Sequence, residues 1–216
     1  MSGINSSTLP WYASRATGVI ALLLMTAVVL LGLLVARNGR LPGLPRFAVT
    51  GLHRNLSLTA VVFVALHVLT AVADGYVSIP LTATFIPLAS GYERLALGLG
   101  AVSLDLSLAI IVTSLLRSRL KPKTWRAIHL LAYVSWPVAW LHSFTAATDM
   151  RHGWMLALAV ADLLLVVAAV LWRLAAAARD IPRAQRVGTL MDAVHRPANR
   201  GRTPAGHGRT PAGPRR

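Results

Sequence analysis

Four histidines in two apolar stretches are the residues of this sequence best suited to chemistry. His53 and His67 lie in the first stretch, and His129 and His142 lie in the second. Ionisable residues inside an apolar span are costly and rare, so each one is a candidate functional residue. Imidazole is a common axial ligand of haem iron. The residue type therefore predicts haem ligation.

The spacing of the histidines sets the depths of two sites. Separations of 14 and 13 residues correspond to about 21 and 20 Å along a helix, roughly two-thirds of a bilayer core. Each helix thus offers one imidazole near each membrane face. Two such helices running in parallel would pair His53 with His129, and His67 with His142, as axial ligands of two haems.

The composition predicts an all-α integral membrane protein. Of its residues, 55% are hydrophobic and 13% are charged. We expect a bundle of five transmembrane helices, at residues 17–36, 51–73, 95–116, 127–147 and 154–176. Residues 1–13 are expected to form a short extracytoplasmic lead, residues 14–176 the haem-binding domain, and residues 177–216 a disordered basic tail, which contains a tandem GRTPAG.

The charges predict the topology and the surroundings. The net charge of +15 comes from loops and the tail, which favours anionic lipid over nucleic acid as the partner. The loops after the first and third spans and the tail hold nearly all the Lys and Arg, so the amino terminus is predicted outside and the carboxyl terminus in the cytoplasm. The absence of cysteine excludes cysteine-ligated iron–sulfur clusters and c-type haem attachment.

The second histidine helix has an unfavourable register. At 100° per residue, a separation of 13 residues misses the same face by about 140°. Pro137 lies between His129 and His142, and a proline inside a helix removes a hydrogen bond and distorts the helix. We expect this distortion to turn His129 and His142 toward the same side of the helix. Structural packing and a proton relay are the alternative roles of the histidines.

Arginines near the histidine helices are candidates for pairing with haem propionates, since guanidinium binds carboxylate in a bidentate manner. Arg54 and Arg126 are the candidates on the cytoplasmic side, with Arg46 close by. Arg15 and Arg151 are the candidates on the outer side.

Two carboxylates and an aromatic stripe lie inside the predicted spans. Asp105 and Asp162 could carry protons or orient a ligand histidine. Ser103 and Ser107 could instead satisfy Asp105 by hydrogen bonds. The stripe beside His142 is more typical of packing than of an electron relay; it consists of Trp136, Trp140 and Phe144. Three further histidines are expected to be solvated: His152, His195 and His207.

The segments GLHRNLSLTAVVFVALH and WRAIHLLAYVSWPVAWLH resemble the ferric reductase-like transmembrane domain. That family includes the membrane part of NADPH oxidases, ferric reductases, and the haem subunit of the bacterial methionine-sulfoxide reductase system, to which this chain is closest in size. The resemblance implies two b-type haems and electron transfer across a bacterial-type plasma membrane. In the family, histidines matching His53 and His129 hold the cytoplasmic-side haem, and those matching His67 and His142 hold the outer one.

No stretch of the sequence could form a flavin or nicotinamide domain, and Gly98-Leu-Gly100 is not a dinucleotide fingerprint because no strand precedes it. We therefore expect an oxidoreductase subunit whose electrons come from a separate flavoprotein, a bound FMN, or quinol. The acceptor would be extracytoplasmic: ferric iron, a periplasmic reductase or flavoprotein, or dioxygen. A quinol-oxidising cytochrome b is the alternative within this class. A proton-coupled transporter and a membrane anchor without chemistry are alternatives from other classes.

Overall fold

The computed structural model describes residues 9–36, 45–74 and 79–195, with side chains up to residue 179. All regular structure in this part of the chain is helical. The helices are α1 (Leu9–Ala36), α2 (Arg46–Val72), α3 (Arg94–Leu115), α4 (Pro122–His129), α5 (Ala132–Ala146) and α6 (Gly153–His195). Two short 3₁₀-helices, Leu81–Thr84 and Thr148–Arg151, lie in the loops before α3 and α6.

Four helices are long and apolar enough to cross a membrane: α1, α2, α3 and the part of α6 up to Arg179. The prediction of a single helix over residues 127–147 is wrong. That stretch contains the end of α4 and all of α5, which are separated by Leu130 and Leu131. A membrane helical bundle is therefore confirmed, whereas the prediction of five continuous spans is not, because the fourth predicted span is divided between α4 and α5.

The break between α4 and α5 has a local cause. Three amides between residues 131 and 134 bond to the carbonyl three residues earlier, as in a 3₁₀-turn: Leu131 to Ile128, Tyr133 to Leu130, and Val134 to Leu131. A 3₁₀-turn advances about 120° per residue rather than 100°, so three such residues reduce the expected mismatch of about 140° to about 80°. The tightened turn ends at Val134, shortly before Pro137.

The bundle is held by helix pairs. Helix α2 packs along α1, and α5 packs along α3 and against α1. One core cluster joins α1, α5 and the first half of α6, and its buried members are Val29, Leu33, Trp136 and Val166. A second cluster consists of Leu22, Met150 and Ala159. These contacts fix α1 as the element against which both histidine-bearing segments are positioned.

The loop before α3 folds back onto that helix. Its 3₁₀-helix packs on α3, and Leu88 adopts a left-handed backbone conformation with φ of 66°. A Cβ built on Gly98 would lie 2.8 Å from Leu88 Cδ2. Glycine at this position therefore lets the loop approach the helix closely. The apolar run over residues 77–88 is too short to cross a membrane, which predicts a segment that lies in the interface or dips back; residues 77 and 78 lie outside the described part of the chain.

The carboxyl-terminal region differs from its prediction. Helix α6 continues to His195, whereas disorder was expected from residue 177 onward. Residues 173–195 include six alanines and four arginines, which are strong helix formers. The tandem GRTPAG and His207 lie outside the described residues. The chain divides into two compact units, Met1–Trp172 and Arg173–Arg216.

Candidate functional site

The four histidines form two pairs in the structure. The ring centroids of His53 and His129 are 6.3 Å apart, and those of His67 and His142 are 6.1 Å apart. Both pairs bring a ring on α2 opposite a ring on the α4–α5 segment. Since the earlier histidines pair with each other and the later ones likewise, the two segments run in the same direction.

The separation within each pair fits a shared metal. Two imidazoles that bind one metal ion from opposite sides, with metal–nitrogen distances of about 2 Å and ring atoms about 1 Å from the ring centre, have centroids roughly 6 Å apart. Both observed pairs match this separation. Within the described residues, no group of three or more His, Cys, Asp or Glu side chains could hold a metal ion. Each pair thus offers two imidazoles, the donor set that bis-histidine haem ligation would use.

Three of the four rings are oriented by a backbone carbonyl. The Nδ1 atom of His67 lies 2.8 Å from Ser14 O, and that of His53 lies 3.1 Å from Val28 O. The corresponding contact of His142, to Ala96 O, is 2.7 Å. A carbonyl oxygen can only accept, so each Nδ1 carries the proton and donates it. In a neutral imidazole the other nitrogen, Nε2, then has a free lone pair for a metal.

Glycines on the helices behind these rings make room for them. A Cβ on Gly18 would lie 2.9 Å from His67 Nδ1, and one on Gly100 would lie 2.8 Å from His142 Nδ1. A Cβ on Gly32 would lie 3.4 Å from His53 Cε1. The three rings therefore sit against bare helix backbone. These contacts fix the distance of each imidazole from the helix behind it.

His129 is held differently. Its Nδ1 is buried and has no hydrogen-bond partner among the described residues. Its ring stacks on the indole of Trp125, with centroids 5.0 Å apart. The guanidinium of Arg117 lies 4.4 Å from the centroid of the Trp125 ring. His129 also ends α4, immediately before the helix break.

The arginines fall into two groups. Arg54 and Arg126 are both exposed and lie one and three residues from a paired histidine. On the other side, Arg15 forms an ion pair with Asp149 at 2.6 Å. Arg151 donates to the carbonyls of Phe144 and Thr145 at the end of α5. Arg46 is the first residue of α2 and is exposed.

The serines expected to bond to Asp105 bond elsewhere. Ser103 Oγ and Ser107 Oγ lie 3.5 Å and 3.0 Å from Ser135 Oγ. Ser103 and Ser135 also exchange bonds to each other's carbonyls, at 3.2 Å. These bonds join α3 to α5, so the alternative in which these serines satisfy Asp105 is not seen among the described contacts. Asp105 itself is half-buried.

Asp162 lies in a polar contact among α1, α5 and α6. It hydrogen-bonds to Thr26, while its Oδ2 is buried and has no partner within the described residues. Thr26 Oγ1 also accepts the indole N–H of Trp136 at 2.7 Å. The structure gives Asp162 no hydrogen bond to a histidine, so the expected orienting role is not seen in the described contacts.

The aromatic stripe packs into the protein. Trp136 is 3% exposed and lies in the core cluster. Trp140 donates its indole N–H to Ala159 O at 3.0 Å and stacks on Phe144, with centroids 5.1 Å apart. His152 is exposed and contacts Thr148 O. His195 ends α6.

Sequence reasoning missed the residues that surround the histidines. Nothing in the sequence distinguishes Trp125 from the other aromatic residues, and Gly98-Leu-Gly100 is similar there only to part of a nucleotide motif. One signal was present: Gly18 and Gly32 are 14 residues apart, the same separation as His53 and His67. Matched separations on two neighbouring antiparallel helices indicate side-by-side contacts.

Comparison with known protein families gives a match. The family model described as "Ferric reductase like transmembrane component" matches residues 17–140, which is more than half of the 216 residues. His53, His67 and His129 lie within the match, and His142 lies two residues beyond it. No curated protein matches the chain, and no solved structure matches it.

Proposed function

We propose that this chain, which belongs to the ferric reductase like transmembrane component family, is a b-type di-haem subunit that passes electrons across the membrane. Family membership supports electron transfer within a membrane. The two haems, their ligands and the redox partners are our proposal. When bound, a haem carries one electron at a time through its ferric and ferrous states.

The observation that carries the proposal is the pairing of four imidazoles at two depths. Centroid separations of 6.3 and 6.1 Å suit two ligands on one iron. Hydrogen bonds from Nδ1 to backbone carbonyls leave the Nε2 lone pairs of His53, His67 and His142 available. Ligand side chains oriented by such bonds are typical of functional metal sites.

The rest of the chain positions these ligands and shields them. The packing of α1 on α2, and of α3 on α5, holds the two histidine-bearing segments opposite each other. The apolar helices exclude water from the space between them. Arg54 and Arg126 are the residues proposed to neutralise propionates of the haem between His53 and His129.

The proposed orientation places the amino terminus outside and the carboxyl terminus in the cytoplasm. The pair His53–His129 then lies toward the cytoplasm, where a flavoprotein, a bound FMN or quinol would supply electrons. The pair His67–His142 lies toward the outside, where ferric iron, a reductase, a flavoprotein or dioxygen would accept them. Rapid-mixing reduction with either menaquinol or a reduced flavoprotein distinguishes the donors.

Haem content tests the proposal. We expect about two haems per purified chain, with reduced-minus-oxidised bands typical of cytochrome b. His67→Ala and His129→Ala should each lose one haem, and their residual spectra should differ because different sites remain. His152→Ala is the matched control and should keep both haems. A colourless parent protein would contradict the proposal and favour the transporter; full haem content in both variants would refute the ligand assignment.

A further inference from the structure

We propose that three helix glycines, Gly18, Gly32 and Gly100, are positioning residues for the paired histidines. Each glycine leaves the carbonyl of the residue four positions earlier open to an imidazole Nδ1–H. The inference rests on the proposed haem ligation and adds the means by which the protein fixes three of the four ligands.

The arrangement follows from helix geometry. In an α-helix the carbonyl of residue i accepts the N–H of residue i+4, and its second lone pair points outward. The Cβ of a helical residue tilts toward the amino terminus and covers the preceding turn. A side chain at i+4 therefore shields the carbonyl of residue i. Glycine at i+4 leaves that carbonyl able to accept a second hydrogen bond from a neighbouring helix.

The same relationship occurs three times. Each site consists of an accepting residue, a glycine four positions later, and a histidine that donates. The three sets are Ser14–Gly18–His67, Val28–Gly32–His53 and Ala96–Gly100–His142. Two of these sites lie on α1 and one lies on α3. In all three, the glycine whose Cβ would meet the ring is the residue that follows the accepting carbonyl by one helical turn. Three coincidences of the same spacing indicate a common positioning device.

The space at each glycine predicts a graded response. A Cβ would approach His142 Cε1 and Nδ1 to 2.8 Å and His67 Nδ1 to 2.9 Å, both far inside van der Waals contact. At Gly32 the closest approach is 3.4 Å, to His53 Cε1, which is an ordinary contact. Alanine should therefore displace the ring at Gly100 and Gly18 but be tolerated at Gly32, where only a larger side chain such as leucine displaces the ring.

The experiment compares glycine variants with histidine variants in the full chain. Gly100→Ala and Gly18→Ala should each lose the haem between His67 and His142, leaving the residual spectrum of His142→Ala and about one haem per chain. Gly32→Ala should keep about two haems per chain, whereas Gly32→Leu should give the residual spectrum of His53→Ala.

Two controls separate positioning from other effects. Gly51→Ala, on α2, meets nothing within 4 Å and should keep both haems. Circular dichroism verifies helix content, which alanine should not lower because it is the better helix former. If Gly100→Ala does not accumulate, Gly18→Ala tests the same site through its other ligand.

The outcomes are distinct. Unchanged haem content, spectra and midpoint potentials in both Gly100→Ala and Gly18→Ala would overturn the inference while the proposed function stands. Equal haem loss in Gly51→Ala would also overturn it, because the effect would then not depend on contact with a histidine. A parent protein without haem would overturn the proposed function and the inference together.

Discussion

The indole of Trp125 stacks on the imidazole of His129, with centroids 5.0 Å apart and ring planes 23° apart. This contact takes the place of the backbone hydrogen bond that orients the other three paired histidines. His129 has no such bond in the described structure, and it ends a helix just before a break. The orientation of this ring therefore depends on aromatic packing.

Replacing Trp125 should weaken one site selectively. Trp125→Leu removes the stacked ring, so His129 should sample other rotamers and the haem it shares with His53 should bind about tenfold more weakly, an effect similar to losing a partner of a metal ligand. Haem release to an acceptor protein, followed by the spectrum of each site, measures the change. Trp154→Leu is the control because Trp154 is 72% exposed. Equal weakening of both sites would contradict this prediction.

Removing Pro137 should disturb the site of His67 and His142. Alanine restores an amide donor and relieves the clash of the proline ring with the preceding turn, so the tightened turn ending at Val134 should relax and rotate His142 away from its partner. The haem of that pair should change its spectrum or be lost. Absorption and electron paramagnetic resonance spectra measure this.

The control for Pro137→Ala is Pro122→Ala. Pro122 opens α4, a position where proline replaces no helical hydrogen bond, so both haems should remain. An unchanged spectrum in Pro137→Ala would show that the turn at residues 128–134 does not depend on the proline.

The sequence predicted the parts of the fold that depend on hydrophobicity. The apolar runs located the carboxyl ends of α1, α2 and α3 to within one residue, because the length and composition of a membrane helix are visible in the sequence. The start of α1 lies at Leu9 rather than at residue 17. The pairing of histidines could be predicted from their spacing. The break at Leu130 and Leu131 could not, since a shift from four-residue to three-residue hydrogen bonding leaves no trace in hydropathy.

The contacts that orient the histidines could not be predicted from the sequence either. The partners of His67 and His142 are backbone carbonyls, which every residue carries, so the residue type does not mark them. The ion pair of Arg15 with Asp149 joins residues far apart in the chain, and only the fold brings them together. Repeated glycine spacing was the available signal for the close helix contacts.

The hydrogen bond between Trp136 and Thr26 should contribute to the stability of the bundle. Trp136→Phe keeps most of the buried ring and removes the indole N–H, so the free energy of unfolding should fall by about 1 kcal/mol. Trp136→Ala also opens a cavity in the core and should cost about 3–5 kcal/mol. Thermal unfolding in detergent measures both. Trp154→Phe, at an exposed position, should change little, and equal losses in Trp136→Phe and Trp154→Phe would contradict the assignment.

Arg54 and Arg15 should differ in their effect on haem binding. Arg54 is exposed and adjacent to His53, so Arg54→Gln should weaken the haem of that site about tenfold through loss of a charged hydrogen bond to a propionate. The guanidinium of Arg15 is engaged by Asp149, so Arg15→Gln should leave both haems in place and change stability by less than about 1 kcal/mol, as is typical of exposed ion pairs. Rates of haem release at low and high salt measure both variants. If haem release were faster in Arg15→Gln and unchanged in Arg54→Gln, the roles of the two arginines would be reversed, and the propionate contact would lie on the other side of the bundle.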